Sequence, residues 1–518
     1  MMFAVIPPGG TVRLVPHPAR VRNHMTQGHP PAAGWPPPGN ADPRYGAPLP
    51  PAQPVPWGPP PPAPKSRRGL WIGLAAGALA LAVCAGTAVG VGLSLRGDDE
   101  DGPAPKAAAG ANGVTVTDAE LTALLDRHSQ ALAAKDLDGY LAAFDPARKE
   151  LIAGQTQLFR NLGKLPLSVA RYETIDKQGR VSDAFGQGVT FQLDVSFVHQ
   201  LDGFDMAPVA EWYRWTVVRD GKDAPIRVTA VTGAPAGGNG DSKTVYYPGP
   251  WDKWQEIHVE RTPFALIITD AARADVAKRY APAVDKSVTS NLAVWRANAP
   301  PEPVSDKFVV TLAAGKEEMT SLYRIGTEKA TEAGYSVGMV AAERKDGKTT
   351  IGGTRIVVDT RDRYFTRSGG DKDAHMVLRH EIAHSLMTPR TDPAAVDEFS
   401  KLDQWVVEGF AEYIAFHGRP LSASDRTAQA LQLVRNGWNG TLPSNGDWEK
   451  SGLLTFHYWL GHTAMDHLAE KHGEPKLFRF VEAVYAGTPT DRAARDVLGV
   501  SLDEFQAGWA DYVRELAG

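Results

Sequence analysis

A long unbroken apolar stretch runs over 69–95 (GLWIGLAAGALALAVCAGTAVGVGLSL), 27 residues without a charge. About 20 apolar residues cross a hydrocarbon core of roughly 30 Å as a helix, so the pattern predicts one transmembrane helix there. The apolar region of a signal peptide would be shorter and nearer the start. Downstream the pattern becomes periodic. Leu121, Leu124, Leu125, His128 and Leu132 follow Asp118 at helical spacing, and a second short helix is predicted within 136–144. Strand-like runs come next at 188–199 (GVTFQLDVSFVH), 211–219 (EWYRWTVVR) and 226–232 (IRVTAVT). Helices followed by antiparallel strands is an α+β order. Further on, 264–269, 308–312 and 355–360 read as strands and 271–295 as a long helix. The stretches 376–386, 404–416 and 453–471 also read as helices. No internal repeat is present.

Proline crowds the first 64 residues. Segment 1–68 lacks the apolar content of a core and is expected to be a disordered, extended Pro-rich tail. Isolated Trp35 and Trp57 within it suit a passive spacer or a docking point for a cytoplasmic partner. Lys65, Arg67 and Arg68 precede the apolar stretch. Asp98, Asp99, Glu100 and Asp101 follow it, after Arg96. Basic flanks stay on the cytoplasmic side. The expectation is a single-pass protein of the cell membrane, N-terminus inside, with its C-terminal domains extracytoplasmic. A start at Met25 in place of Met1 changes nothing downstream. A charged, small-residue linker occupies 96–114. A Gly-rich break at 233–242 then separates an α+β domain over 115–235 from a larger domain over 245–518.

The net charge of −5 gives no reason to expect a nucleic-acid partner. The single cysteine, Cys84, falls inside the apolar stretch. That excludes a disulfide framework, a cysteine zinc site, an iron–sulfur cluster and a cysteine nucleophile in either folded domain. Chemistry is concentrated instead in 376–386, MVLRHEIAHSL. His380 and His384 are four apart, so a helix places both rings on one face. Two neutral imidazoles are zinc ligands, and Glu381 stands where a general base would act on water, which is the HExxH pattern. Its apolar flanks, Val377, Leu378, Ile382, Ala383 and Leu386, suit a buried helix, and Pro389 ends it.

A catalytic zinc takes a third protein ligand. The extended pattern with Gly at 387 and a third His at 390 is excluded, since Met387 and Arg390 occupy those positions. In QWVVEGFAEYIAF (404–416), Glu408 stands in an otherwise apolar run, where an ionised carboxylate calls for a nearby cation. Asp397, Glu398, Asp403 and His417 are rival ligands. Glu412, one turn beyond Glu408, is placed to accept the outer N–H of a ligand histidine and fix its tautomer.

HEIAH followed by WVVEGFAEY resembles the gluzincin metallopeptidases, most closely the peptidase MA-like families. The resemblance implies a two-lobed zincin fold with a helical C-terminal lobe. It implies Zn²⁺ held by His380, His384 and Glu408, Glu381 as general base and Glu412 behind the ligands. It further implies that a Tyr or His from a later helix stabilises the oxyanion, with Tyr458 or His457 as candidates. Between His384 and Glu408 lie 23 residues, more than in the aminopeptidase branch, and no GxMEN-like motif precedes the helix. An endopeptidase is therefore expected. The opening helix, the AAKDLDGYLAAF turn and the late strands of 115–235 resemble the NTF2-like fold. No Asp, His and Tyr constellation there points to chemistry, which favours a spacer or adaptor role.

The expected function is thus a membrane-anchored zinc metallopeptidase cutting peptide or protein substrates outside the cytoplasm, with the strand at 355–360 as the edge along which substrate adds. The alternative is a non-catalytic extracellular binding or sensing protein with a structural or vestigial zinc site.

Overall fold

A computed structural model describes residues 108–109, 114–182, 188–234, 246–301, 304–324, 332–367, 370–391, 402–448 and 452–518. The Pro-rich tail, the apolar stretch 69–95 and most of the linker lie outside these residues.

The first helix, α1 (Asp118–Ala133), begins at a capping box: Thr117 accepts from Glu120 N, and the Glu120 carboxylate accepts from Thr117 N at 2.9 Å. Its buried stripe includes Leu121, Leu124, Leu125, His128 and Leu132. Helices α2 (Leu137–Leu141) and α3 (Lys149–Leu162) follow. Four strands then pair antiparallel in chain order, β1 (Leu167–Ser182), β2 (Val189–Leu201), β3 (Val209–Arg219) and β4 (Arg227–Gly233).

The second sheet holds β5 (Ile257–Arg261), β6 (Ala265–Asp270), β7 (Phe308–Ala313), β8 (Gly334–Val340) and β9 (Ile351–Asp359), in the spatial order β8-β9-β7-β6-β5. Between β6 and β7 runs α4 (Ala274–Asn298), and this crossover lets β6 and β7 pair in parallel. The β7–β9 pair is parallel too, whereas β8–β9 and β5–β6 are antiparallel.

The central strands are buried on both faces, which is why they read as continuous apolar runs. Alternate residues serve different cores. Ala265, Ile267, Phe308, Val310, Leu312, Ile356 and Val358 face the helices, while Leu266, Ile268, Val309 and Val357 join the core of the first sheet. The sheets are also tied at the β2–β3 turn. Both carboxylate oxygens of Asp205 receive the Arg355 guanidinium, at 2.5 and 2.9 Å, with both side chains fully buried.

Helices α5 (Gly370–Met387), α6 (Gln404–Phe416), α7 (Thr427–Arg435), α8 (Leu454–His472), α9 (Glu474–Tyr485) and α10 (Leu502–Ala517) complete the chain.

Two expectations about fold class are corrected. The architecture is mixed α/β and not α+β, because the α4 crossover and the insertion of β9 beside β7 make the centre of the second sheet parallel. Among the described residues no helix is long and apolar enough to cross a membrane. The strand expected as a substrate edge is also corrected. Residues 355–359 belong to β9, which is flanked by β8 and β7, and the edge is β8.

Candidate metal centre

Helix α5 begins at Gly370, earlier than the start at 376 expected from the sequence, and ends at Met387, where a tight turn through Pro389 takes over. Leu378, Ile382, Ala383 and Leu386 bury one side of it in the helical core. The opposite side presents His380, Glu381 and His384. Helix α6 is buried along its whole length, so Glu408 and Glu412 are carboxylates in an apolar shell. It crosses α8 through two glycines: a Cβ on Gly409 would stand 2.5 Å from the carbonyl oxygen of Gly461. That close approach brings the Glu408 turn against α5.

Three ligand atoms converge. His380 Nε2 lies 3.1 Å from His384 Nε2 and 3.2 Å from Glu408 Oε2, and His384 Nε2 lies 3.5 Å from the same oxygen. Two imidazole nitrogens and a fully buried carboxylate oxygen thus point at one place, the spacing that ligands around a single cation take. Two tetrahedral zinc ligands, each about 2.0–2.1 Å from the ion, stand about 3.3 Å apart. Glu408 Oε1 and His384 Nδ1 are buried with no hydrogen-bond partner. The donor set, two imidazoles and one carboxylate, fits zinc and leaves a fourth position open.

Behind the ligands, His380 Nδ1 lies 3.1 Å from Glu412 Oε1. The other oxygen of Glu412 accepts from Arg426 Nη1 at 2.7 Å, and the Arg426 guanidinium lies 5.1 Å from the centre of the Tyr458 ring. This chain fixes His380 from its far side. Arg426 was not legible from sequence: it sits in a loop before α7 and meets Glu412 only through the fold.

The surrounding charges separate the carboxylates. Burial pushes Glu381 up to about 8, with Glu408 and Glu332 adding to the rise and His380 opposing it. Burial would also raise Glu412, but Arg426 and His380 more than offset it and hold Glu412 at about 2. Glu408 is lowered despite its burial by His384 and His380.

The site opens into a cleft of about 410 Å³ lined by Gly334, Met376, His380, Glu381, Phe416 and Tyr458 among others. Tyr458 therefore reaches the cleft, with its ring centre 6.0 Å from that of His380. His457 does not line it and packs against Trp448 at 5.8 Å. Of the rival ligands, Asp403 is the residue just before α6 and its side chain makes no capping bond there, and His417 Nε2 lies 2.7 Å from Glu474 Oε1. Asp397 and Glu398 lie outside the described residues. Among the described residues His380, His384 and Glu408 form the one group able to hold a metal ion, their ligand atoms all within 4.8 Å of one another.

No protein-family model matches the chain, and no curated protein matches it in sequence.

Proposed function

We propose that the protein is a zinc metallopeptidase of the gluzincin type, hydrolysing peptide bonds in the cleft beside His380. The observation that carries this reading is the convergence of His380, His384 and Glu408 around one point, with the buried Glu381 lining the same cleft. Zinc, when bound, would supply a Lewis acid that acidifies water and polarises the scissile carbonyl.

The protein's own residues divide the remaining work. His380, His384 and Glu408 hold the ion. Glu412, kept ionised by Arg426, holds the His380 ring in one tautomer. Glu381, made more basic by its burial, would act as the carboxylate, taking the proton from the attacking water and returning it to the departing amine. The water oxygen joins the carbonyl carbon, the C–N bond breaks, and a carboxylate and an amine leave. Tyr458, which lines the cleft, would donate to the oxyanion that forms on the way.

The test is Glu381→Gln, which keeps the shape and the ligands. Peptide hydrolysis should fall by about 10²–10⁴-fold or more while metal content stays the same. Unchanged hydrolysis would remove Glu381 from its role. Hydrolysis lost together with the metal would point to a structural part for Glu381.

A further inference from the structure

Helix α6 carries its cleft side on beyond the metal site. Glu412 lines the cleft, Phe416 follows one turn later, and Arg419 comes just after the helix ends. The chain leaves α6 through Gly418 at φ +76°, a conformation that suits glycine, and Arg419 N donates to Phe416 O at 2.9 Å. This turn sets Arg419 over the cleft. Its guanidinium rests on α5, with Nη1 3.1 Å from the sulfur of Met376. Met376 lies one turn before His380 on that helix and lines the same cleft. Arg419 is exposed.

Elsewhere in the cleft, charges meet their opposites. Glu412 accepts from Arg426, Asp373 lies 2.9 Å from Arg367, and Asp362 lies 3.0 Å from Lys316. Asp425 stands 3.7 Å from Arg367 and 3.9 Å from Arg363. Glu332 acts on Glu381. The company of Arg419 is cationic. Arg379, on α5 beyond Met376, is buried and donates from Nε to Asn291 Oδ1 of α4 at 2.8 Å. Lys286 is on α4 as well. Burial first, then Arg379, Lys286 and Arg419, bring the His375 imidazole down to about 4. Three cations acting on one group in the same direction mark this corner as electropositive, and such a corner attracts anions.

An exposed guanidinium in a cleft, with further cations behind it, presents a planar fork that matches a carboxylate. We propose that Arg419 determines the specificity of the cleft by receiving a carboxylate of the substrate peptide, carried by an Asp or Glu side chain or by a free C-terminus. One helical turn is about 5.4 Å and an extended peptide advances about 3.3 Å per residue, so this carboxylate lies within about three residues of the scissile bond. The inference rests on the peptide-hydrolysis reading and gives it a substrate class, acidic peptides.

The test gives the full-length, zinc-loaded protein two sets of peptides. One has both termini blocked and carries Glu or Gln at each position in turn. The other lacks acidic side chains and ends in a free or an amidated C-terminus. Mass spectrometry places the cuts and gives the rates. For a carboxylate within about three residues of the cut, kcat/KM should exceed that of the matching amide by about 5–10-fold. A preference in the blocked peptides assigns the side chain as its source, and one lost on amidation assigns the C-terminus. In Arg419→Gln the ratio should fall to about one, through KM. In Arg419→Glu, peptides with Lys at the same position should overtake those with Glu. Arg419 is exposed, so both variants should fold, which circular dichroism checks. Equal rates for carboxylate and amide, or a preference kept by folded Arg419→Gln, would overturn the assignment and leave hydrolysis standing. No cut in any peptide would remove the hydrolysis reading and this inference with it. Should neither variant fold, the carboxylate and amide comparison on the native protein decides alone.

Discussion

Glu381 and Glu412 are both buried carboxylates within one turn of a candidate ligand, yet their surroundings drive them in opposite directions. Glu381 has a buried oxygen without a partner, and its pKa rises to about 8. Glu412 meets Arg426 and His380, and falls to about 2. One is suited to exchange a proton near neutral pH and the other to remain an anion. Glu412→Gln should therefore keep the three ligands but loosen His380, weakening zinc affinity by about 10–100-fold in a chelator competition. An affinity equal to the native one would show that the contact does no positioning. The spacing within HEIAH and from Glu408 to Glu412 made these residues legible, because one helical turn fixes which side chains share a face. Arg426 was not legible. It acts through a contact between distant parts of the chain, and a single loop residue carries no periodic signal.

At the scale of elements, the placement of Glu408 depends on how closely α6 approaches α8. Gly409 and Gly461 permit backbone contact, and a methyl group on Gly409 would meet the carbonyl of Gly461 at 2.5 Å. Gly409→Ala must push the helices apart, at a cost of about 1–3 kcal/mol in denaturant unfolding. It should also lower zinc affinity, since Glu408 is the neighbouring residue. Native stability and affinity together would contradict this account of the crossing. The helices α5, α6 and α8 could be read from sequence because each is long and bounded by clear signals. Strand pairing could not. FALIIT and FVVTL are recognisable as strands, but nothing local in them says that α4 returns the chain to run parallel, or that β9 enters between β7 and β8 and leaves β8 as the edge.

For the molecule as a whole, the sequence suggested two folded parts separated by a Gly-rich break. The described residues show the second sheet lending one face to the first. Leu266, Ile268, Val309 and Val357 lie in the same apolar cluster as Phe197, Val209 and Tyr213, and the Asp205–Arg355 pair is sealed between the sheets. Breaking a buried pair leaves an uncompensated charge, so Asp205→Ala should cost about 3–5 kcal/mol. Because the core is shared, it should lower one cooperative calorimetric transition for both sheets. Two separate transitions, with only one of them moved, would show that the sheets unfold independently. Such coupling is invisible in sequence, where an apolar strand looks alike whether one face or both are covered.

The central claim is that His380, His384 and Glu408 hold a catalytic zinc. The most direct measurement is metal content by mass spectrometry on the purified protein beside Glu408→Ala and Glu381→Gln, after equal exposure to zinc. One zinc per chain in the native protein and in Glu381→Gln, and its loss from a folded Glu408→Ala, is the expected result. No zinc in the folded native protein, or zinc retained without Glu408, would contradict it.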